Sequence, residues 1–231
     1  MRVLITAGAT QTPIDKVRAI TNIFKGTTGS MIAEYFASQN ANVTLITSNP
    51  ELAKATHYNY KHHPKVVFPY RTFDELAALM QTQIQAGNYD AVVHSAAVSD
   101  YRVVATHTFQ DDGVSLQQVD AATKISSKHS KLFLELEQTP KLIDKIRGEW
   151  GYRGFLVKFK LEVGKSEEEL LQIARESRKA SRADLIVANC LEWCKEKALI
   201  LSEHMHVEQS REALPELLYN YISAVLEQEL W

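Results

Sequence analysis

The chain is short of cysteine, of glycine-rich fingerprints and of any charge excess, and each shortage excludes something. Only two cysteines occur in 231 residues, Cys190 and Cys194. Two thiols cannot complete a tetrahedral zinc site, and C-x₃-C is not the spacing of a C-x-x-C redox pair. Reduced, packed thiols in a cytoplasmic protein are the expectation. Lys and Arg number 26 against 28 Asp and Glu, a formal net charge of -2. No basic excess exists to neutralise a nucleic-acid backbone, so no nucleic-acid partner is expected. An anionic ligand must be met locally rather than by the field of the whole molecule. No apolar run approaches the roughly 20 residues that span a bilayer, so no membrane partner is expected. The chain opens on a strand pattern, not on a basic-then-apolar leader.

Several chemical signatures are missing as well. There is no G-x-G-x-x-G, no G-x₄-G-K-[ST] and no G-x-S-x-G. No tyrosine has a lysine four residues on, which argues against a short-chain nucleotide-dependent oxidoreductase, the competing enzyme class. The eight histidines include His62-His63 and His204-x-His206. Neither pair has an acidic or thiol ligand beside it in sequence, so surface histidines are expected, although the second pair would share a strand face.

What is present is a chain 45% hydrophobic and 23% charged, enough for a sizeable core. Strands are expected at Val3–Thr6, Asn42–Thr47, Val66–Pro69, Ala91–Ser95, Leu132–Leu136, Phe155–Lys160 and Asp184–Ala188. Helices are expected at Thr28–Gln39, Phe73–Gln85, from a Thr139 cap with Pro140 first to about Glu149, at Ser166–Arg182, and at Glu212–Glu229. Ser166 with Glu169 three on forms a capping-box pattern. Ala198–Ser202 and His206–Glu208 suit a hairpin. Lys158 and Lys160 suggest a strand end near solvent. Alternating strands and helices with near-continuous apolar strands predict an α/β fold with a mostly parallel sheet covered on both faces. From Arg102 to Thr123 no face is clear, which reads as a long irregular loop.

Strand ends carry the candidate chemistry, because an open parallel sheet binds ligands outside its carboxyl ends. These are Thr6–Thr10, Ser95–Asp100, Phe159–Glu162 and Asn189. Gly26-Thr27-Thr28-Gly29 opens a helix, where backbone amides can approach a phosphate; ordinary turn glycines would look the same. Arg18 and Asn22 lie four apart and would share one side of a helical turn. Asp100 follows a buried strand, and Lys124 stands alone at the edge of the irregular segment.

Six segments occur in a telling order: ITAGATQTPIDKVRAITN, G-x-x-G, AAVSDY, KISS followed by TPKLI, FKLE and DLIVAN. In that order they resemble phosphopantothenate–cysteine ligase over about Val3 to Asn189. The resemblance implies one ligase domain over 1–231, in the free-standing form without a decarboxylase domain. It implies a Rossmann-like three-layer fold with a flap, 102–135, for homodimer contact. It implies CTP or ATP as co-substrate with Mg2+, and phosphopantothenate and cysteine as small-molecule partners. The nucleotide would activate the phosphopantothenate carboxylate, and the cysteine amine would then displace the nucleoside monophosphate. A binding paralogue without turnover is the other reading.

The same resemblance assigns roles. Asn22 and Lys124 would be catalytic. Arg18, Asn22, Ala96, Ala97 and Asp100 would contact phosphopantothenate. Gly8, Gly26, Gly29, Asp100, Lys124, Thr139, Pro140, Lys141, Leu142, Phe159 and Asn189 would line the nucleotide. No metal ligand is assigned. Three places depart from the family pattern: Phe24-Lys25-Gly26-Thr27 stands where S-S-G-[KR] is usual, Lys124-Ile125-Ser126-Ser127 where fused enzymes have K-I-K-K, and Ser177 and Ser181 where those enzymes have lysines.

Overall fold

A computed structural model describes residues 1–54, 64 and 66–228; His62-His63 lies outside the described residues. The chain runs β1 (Arg2–Ala7), β2 (Gln11–Pro13), β3 (Ala19–Thr21), α1 (Thr27–Ser38), β4 (Asn42–Thr47), a 3₁₀ turn (Pro50–Ala53), β5 (Val66–Pro69) and α2 (Phe73–Ala86). It continues with β6 (Ala91–His94), β7 (Tyr101–Phe109), β8 (Leu116–Gln118), β9 (Phe133–Gln138), α3 (Leu142–Arg147), β10 (Phe155–Glu162) and α4 (Glu167–Ser181). β11 (Leu185–Cys190), β12 (Lys197–Leu201), β13 (His206–Ser210) and α5 (Leu214–Gln228) complete it.

Eight strands form the central sheet in the order β13-β12-β11-β10-β6-β1-β4-β5. β5 through β11 pair in parallel, and β12 and β13 append an antiparallel hairpin. Its strands read as continuous apolar runs because helices cover both faces. Ile5, Val43 and Val93 pack with Ile32 and Phe36 of α1 and Leu218 and Ile222 of α5. On the other face, Leu4, Ile46, Val92 and Leu156 meet Leu76 and Met80 of α2 and Ile146 of α3. α4 adds Leu170 and Ala174 over Ile186 and Leu199. Each such side chain contributes about 1.5–3 kcal/mol when fully buried. α2 and α4 both begin with complete capping boxes, Thr72 with Glu75 and Ser166 with Glu169. The three-layer α/β arrangement expected from the pattern is present.

Five local expectations fail. Residues 102–123 are not one irregular loop, because β7 spans nine residues and forms a separate antiparallel arm with β8 and β9. That arm lacks a clear apolar rhythm because it lies outside the central sheet, and its exposed positions carry charged side chains such as Arg102 paired with Glu137, and Glu135 beside His107. Thr139 does not cap a helix. Its amide and hydroxyl bond to the Asp100 and Ser99 carbonyls, and α3 starts only at Leu142. Lys158 is buried rather than near solvent. Arg18 and Asn22 flank β3 of a β2–β3 hairpin, so no helical turn puts them side by side. His204 lies in a turn and His206 opens β13, so they share no strand face, and both are exposed.

Candidate active site

β1 leads through α1 to β4 on one side, and α2 crosses from β5 to β6 on the other. The strand order therefore reverses between β1 and β6, and a crevice opens outside their carboxyl ends. Gly8 turns the chain there with φ +89, a left-handed conformation that favours glycine. Gly26 precedes α1 with φ +90, and a Cβ on it would lie 2.5 Å from the Gly8 nitrogen. Only a residue without a side chain lets the start of α1 press against the β1 loop. No side chain caps α1, and no acidic residue occupies its first turn. Its amide end and dipole therefore suit an anion. Gly29 fits closely too, since a Cβ there would come within 2.6 Å of the Ala7 Cβ and the Ser95 Oγ.

Hydrogen bonds join the β1 and β6 loops. Ala97 donates its amide to the Gly8 carbonyl at 2.8 Å, and Thr10 donates to the Ala97 carbonyl at 3.2 Å. Ser99 donates its amide to Thr10 Oγ1 at 2.8 Å. Asn22 joins the same cluster, its Nδ2 donating to the Ala97 carbonyl at 3.1 Å while the side chain stays exposed. Beyond it, Asp100 pairs with Lys141. Behind the β1 loop, Tyr70 donates its hydroxyl to the Ala7 carbonyl at 3.0 Å. Burial pushes this phenol well above its ordinary pKa, which keeps it a neutral donor.

A buried polar row runs beneath these loops. Thr6, His94 and Lys158 are register partners on β1, β6 and β10. Thr6 Oγ1 and His94 Nδ1 are 2.9 Å apart, and the Ala96 amide donates to Thr6 Oγ1 at 3.2 Å. Lys158 Nζ donates to Ser177 Oγ at 2.9 Å and to its carbonyl at 3.1 Å. Burial, with the nearby Lys158 charge, lowers His94 to about 4 and keeps it neutral. Burial is also the main cause that lowers Lys158 to about 8; Lys160 and Lys141 add to it and Asp144 opposes it.

Gly8, Gly26, Gly29, Asn22, Ala96, Ala97, Asp100, Thr139 and Lys141 thus meet at or around one crevice. Phe159 follows the Lys158–His94 register pair, so it stands level with Ser95, half-buried against the α1 side. Asn189 lies one strand further out, and its Oδ1 accepts from Arg211 at 3.4 Å. Pro140 is exposed, while Leu142 is 2% exposed and belongs to the core rather than to a ligand wall. Arg18 is not brought to Asn22, and Lys124 is located only through its neighbour Ile125. Arg18 points into a pair with Asp15, and Ile125, next to Lys124, is bonded to both. Arg18 precedes β3 and Asn22 follows it, so the two stand about 13 Å apart along an extended strand.

The family model for the DNA/pantothenate metabolism flavoprotein C-terminal domain matches residues 1–213. The chain belongs to this family. A relative from Thermococcus kodakarensis, the coenzyme A biosynthesis bifunctional protein CoaBC, is 38% identical over 190 residues, 82% of this chain and 41% of its own length. The namesake from Methanocaldococcus jannaschii is 30% identical over 82% of this chain and 40% of its own length. The chain spans about two-fifths of the length of these curated relatives. Among solved structures, the DNA/pantothenate metabolism flavoprotein from Streptococcus pneumoniae superposes with TM-score 0.81 at 32% identity, covering 97% of this chain and 99% of that one. A Cab2 variant in complex with phosphopantothenate-cysteine has TM-score 0.71 at 19% identity, covering 98% of this chain and 88% of that one, which shows the shared fold.

Two features of this family member escaped the sequence reading. One is the Thr6–His94–Lys158 row, whose only signal was a histidine and a lysine inside strands that otherwise read as apolar. The other is Asp15, whose side chain is fully buried although it lies in a turn. The Ser177 departure also gains a local account, whereas Ser181 bonds only to the Ser177 and Arg178 carbonyls of its own helix. Lys158 reaches Ser177 from the strand, so a hydroxyl rather than a second cation faces it from the helix.

Proposed function

We propose that this chain joins 4'-phosphopantothenate to L-cysteine through an acyl-nucleotide, using CTP or ATP, as a step of coenzyme A biosynthesis. The observation that carries the reading is the crevice between β1 and β6. There an uncapped helix start, two close-packed glycine loops and the Asn22 amide converge. Coenzyme A biosynthesis in the names of the relatives at 38% and 30% identity supports it.

The chemistry follows from what the residues can do. A carboxylate resists attack by an amine until one oxygen becomes a leaving group. The α1 start and the Gly8 and Gly26 loops suit the triphosphate, where they hold negative charge with backbone amides. Asn22 reaches the same loop and offers donor and acceptor to the carboxylate or its acyl-nucleotide. Ala96 and Ala97 form the floor, and Phe159 offers a flat apolar wall for a base. Lys124 supplies a cation from the segment that Ile125 ties to the hairpin tip. Magnesium bound with the triphosphate would neutralise part of its charge. Among the described residues no three His, Cys, Asp or Glu converge as a cage of their own.

A homodimer completes the reading. Exposed Val104, Leu116 and Leu136 on the β7–β8–β9 arm suit a second copy. Light scattering checks it, with a monomer at micromolar concentration as the contrary result.

Pyrophosphate release tests the activity, run in parallel with CTP and ATP and with magnesium, phosphopantothenate and cysteine added or withheld. Release that requires phosphopantothenate, with product that also requires cysteine, supports the ligase. Nucleotide binding by calorimetry without turnover identifies a binding paralogue instead. Asn22→Asp sets an oxygen against the Ala97 carbonyl in place of a donor. It should abolish turnover and leave the melting temperature within about 2 °C, since an exposed site contributes little to stability.

A further inference from the structure

Residues 120–130, which carry Lys124, have no strand or helix of their own. Among the described residues, the hydrogen bonds that tie this stretch to the rest of the chain are made by Ile125 alone. Its amide donates to Asp15 Oδ2 at 3.0 Å, and its carbonyl accepts from Arg18 Nη2 at 3.0 Å. Ile125 is 2% exposed.

The receiving pair is itself fixed. Asp15 Oδ1 accepts from the amides of Val17 at 2.8 Å and Arg18 at 2.7 Å, closing the hairpin turn. Asp15 Oδ2 accepts from Arg18 Nε at 3.0 Å and Nη2 at 2.5 Å. A carboxylate and a guanidinium thus grip both backbone polar groups of one residue more than 100 positions away in sequence. A planar fork can do this and a point charge cannot. Arg18 Nη2 serves Asp15 and Ile125 together, so the pair and the grip form as one unit.

We propose that Asp15 and Arg18 are positioning residues, a clamp on Ile125 that fixes where the neighbouring Lys124 ammonium can reach. The proposal rests on the ligase reading for its kinetic consequence but not for its structural one. Arg18 then acts through Lys124 rather than on substrate. The clamp also explains why an arginine and a buried aspartate stand at the hairpin tip, on the side away from Asn22.

Trypsin supplies the test, because Lys124 and Lys128 lie within the clamped stretch and Lys195, exposed in a distant turn, serves as reference. In Asp15→Asn the amide nitrogen opposes the Ile125 and Arg18 donors. In the milder Arg18→Lys the fork is lost and the charge kept. Cleavage after Lys124 and Lys128, relative to Lys195, should rise at least five-fold in both variants. In the pyrophosphate assay, Arg18→Lys should lower kcat ten-fold or more with the nucleotide KM within two-fold. Combined with Lys124→Gln it should lower kcat no further than Lys124→Gln alone. Unchanged cleavage in both variants overturns the clamp. Faster cleavage with full kcat, or kcat losses that multiply in the double variant, overturns the positioning role. An inactive wild type refutes the ligase reading, and the cleavage ratio alone then decides the clamp.

Discussion

Replacing Lys158 by methionine should stabilise the protein at neutral pH and reverse that advantage in alkali. Lys158 is 7% exposed, and burial lowers it from 10.5 to about 8. That difference corresponds to about 3 kcal/mol against the charged form, at about 1.4 kcal/mol per pH unit. Methionine removes the penalty at similar volume but forfeits the bonds to Ser177, worth about 1–2 kcal/mol. Near pH 7 the variant should gain about 1–2 kcal/mol, a rise of about 2–8 °C for a chain of this size. The sign in alkali follows from proton counting. Between about 8 and 10.5 the unfolded lysine keeps a proton that the folded one has lost, so wild-type stability rises with pH. Methionine has no such rise, so its advantage should shrink by about 1.4 kcal/mol per unit and invert near pH 9 to 10. The raised phenols of Tyr70 and Tyr152 titrate above this range in both proteins and cancel in the comparison. Urea unfolding followed by circular dichroism at pH 7 and pH 10 measures the difference. A variant less stable than wild type by more than about 1 kcal/mol at pH 7, or a pH-independent difference, would refute the reasoning.

Three further outcomes follow from the same geometry. His94 is lowered to about 4 by burial, so the unfolded chain takes up a proton between about 6.5 and 4 that the folded chain refuses. His94→Gln should abolish that acid-side loss, about 2–2.5 kcal/mol between pH 7 and 4.5 by urea melts; an unchanged acid slope would exclude a buried neutral His94. Gly26→Ala combines φ +90 with a Cβ 2.5 Å from the Gly8 nitrogen, so it should cost about 1–3 kcal/mol and weaken CTP or ATP binding ten-fold or more by calorimetry. Wild-type affinity in that variant would remove the glycine loops from the nucleotide site. Ser166→Ala breaks the α4 capping box and should lower the melting temperature by about 2–4 °C, with no change in nucleotide affinity.

Legibility in the sequence followed how local the cause was. β4 and β5 appear at the expected residues, and the α4 capping box forms as written, because short apolar runs and the Ser166–Glu169 spacing act within a few residues. The arm was misread because Arg102 and His107 gain their reason only from Glu137 and Glu135 across β9. Thr139 was misread because a threonine before a proline looks like a cap until its hydroxyl finds Ser99. The crevice was legible through its ordered segments, and Gly8, Gly26 and Asn22 do meet there. Lys124 was grouped with them on resemblance, and the fold ties its neighbour to the hairpin tip instead.

The two missed features share a logic. Both place costly polar groups behind the crevice rather than in it. A row of three aliphatic side chains would satisfy β1, β6 and β10 more cheaply than Thr6, His94 and a desolvated Lys158. The polar row does one thing an aliphatic row cannot: Thr6 Oγ1 shares a hydrogen bond with His94 Nδ1 and accepts one from the Ala96 amide, which ties the β6 loop to β1. Asp15 does the corresponding thing for Ile125. In each case a buried side chain fixes one backbone amide next to a residue the proposed reaction would use, Ala97 in one loop and Lys124 in the other. Stability measured on Lys158→Met and kinetics measured on Arg18→Lys therefore probe one design. Stability gained in Lys158→Met together with turnover lost in Arg18→Lys is the expected signature of a scaffold whose polar interior serves the position of its loops.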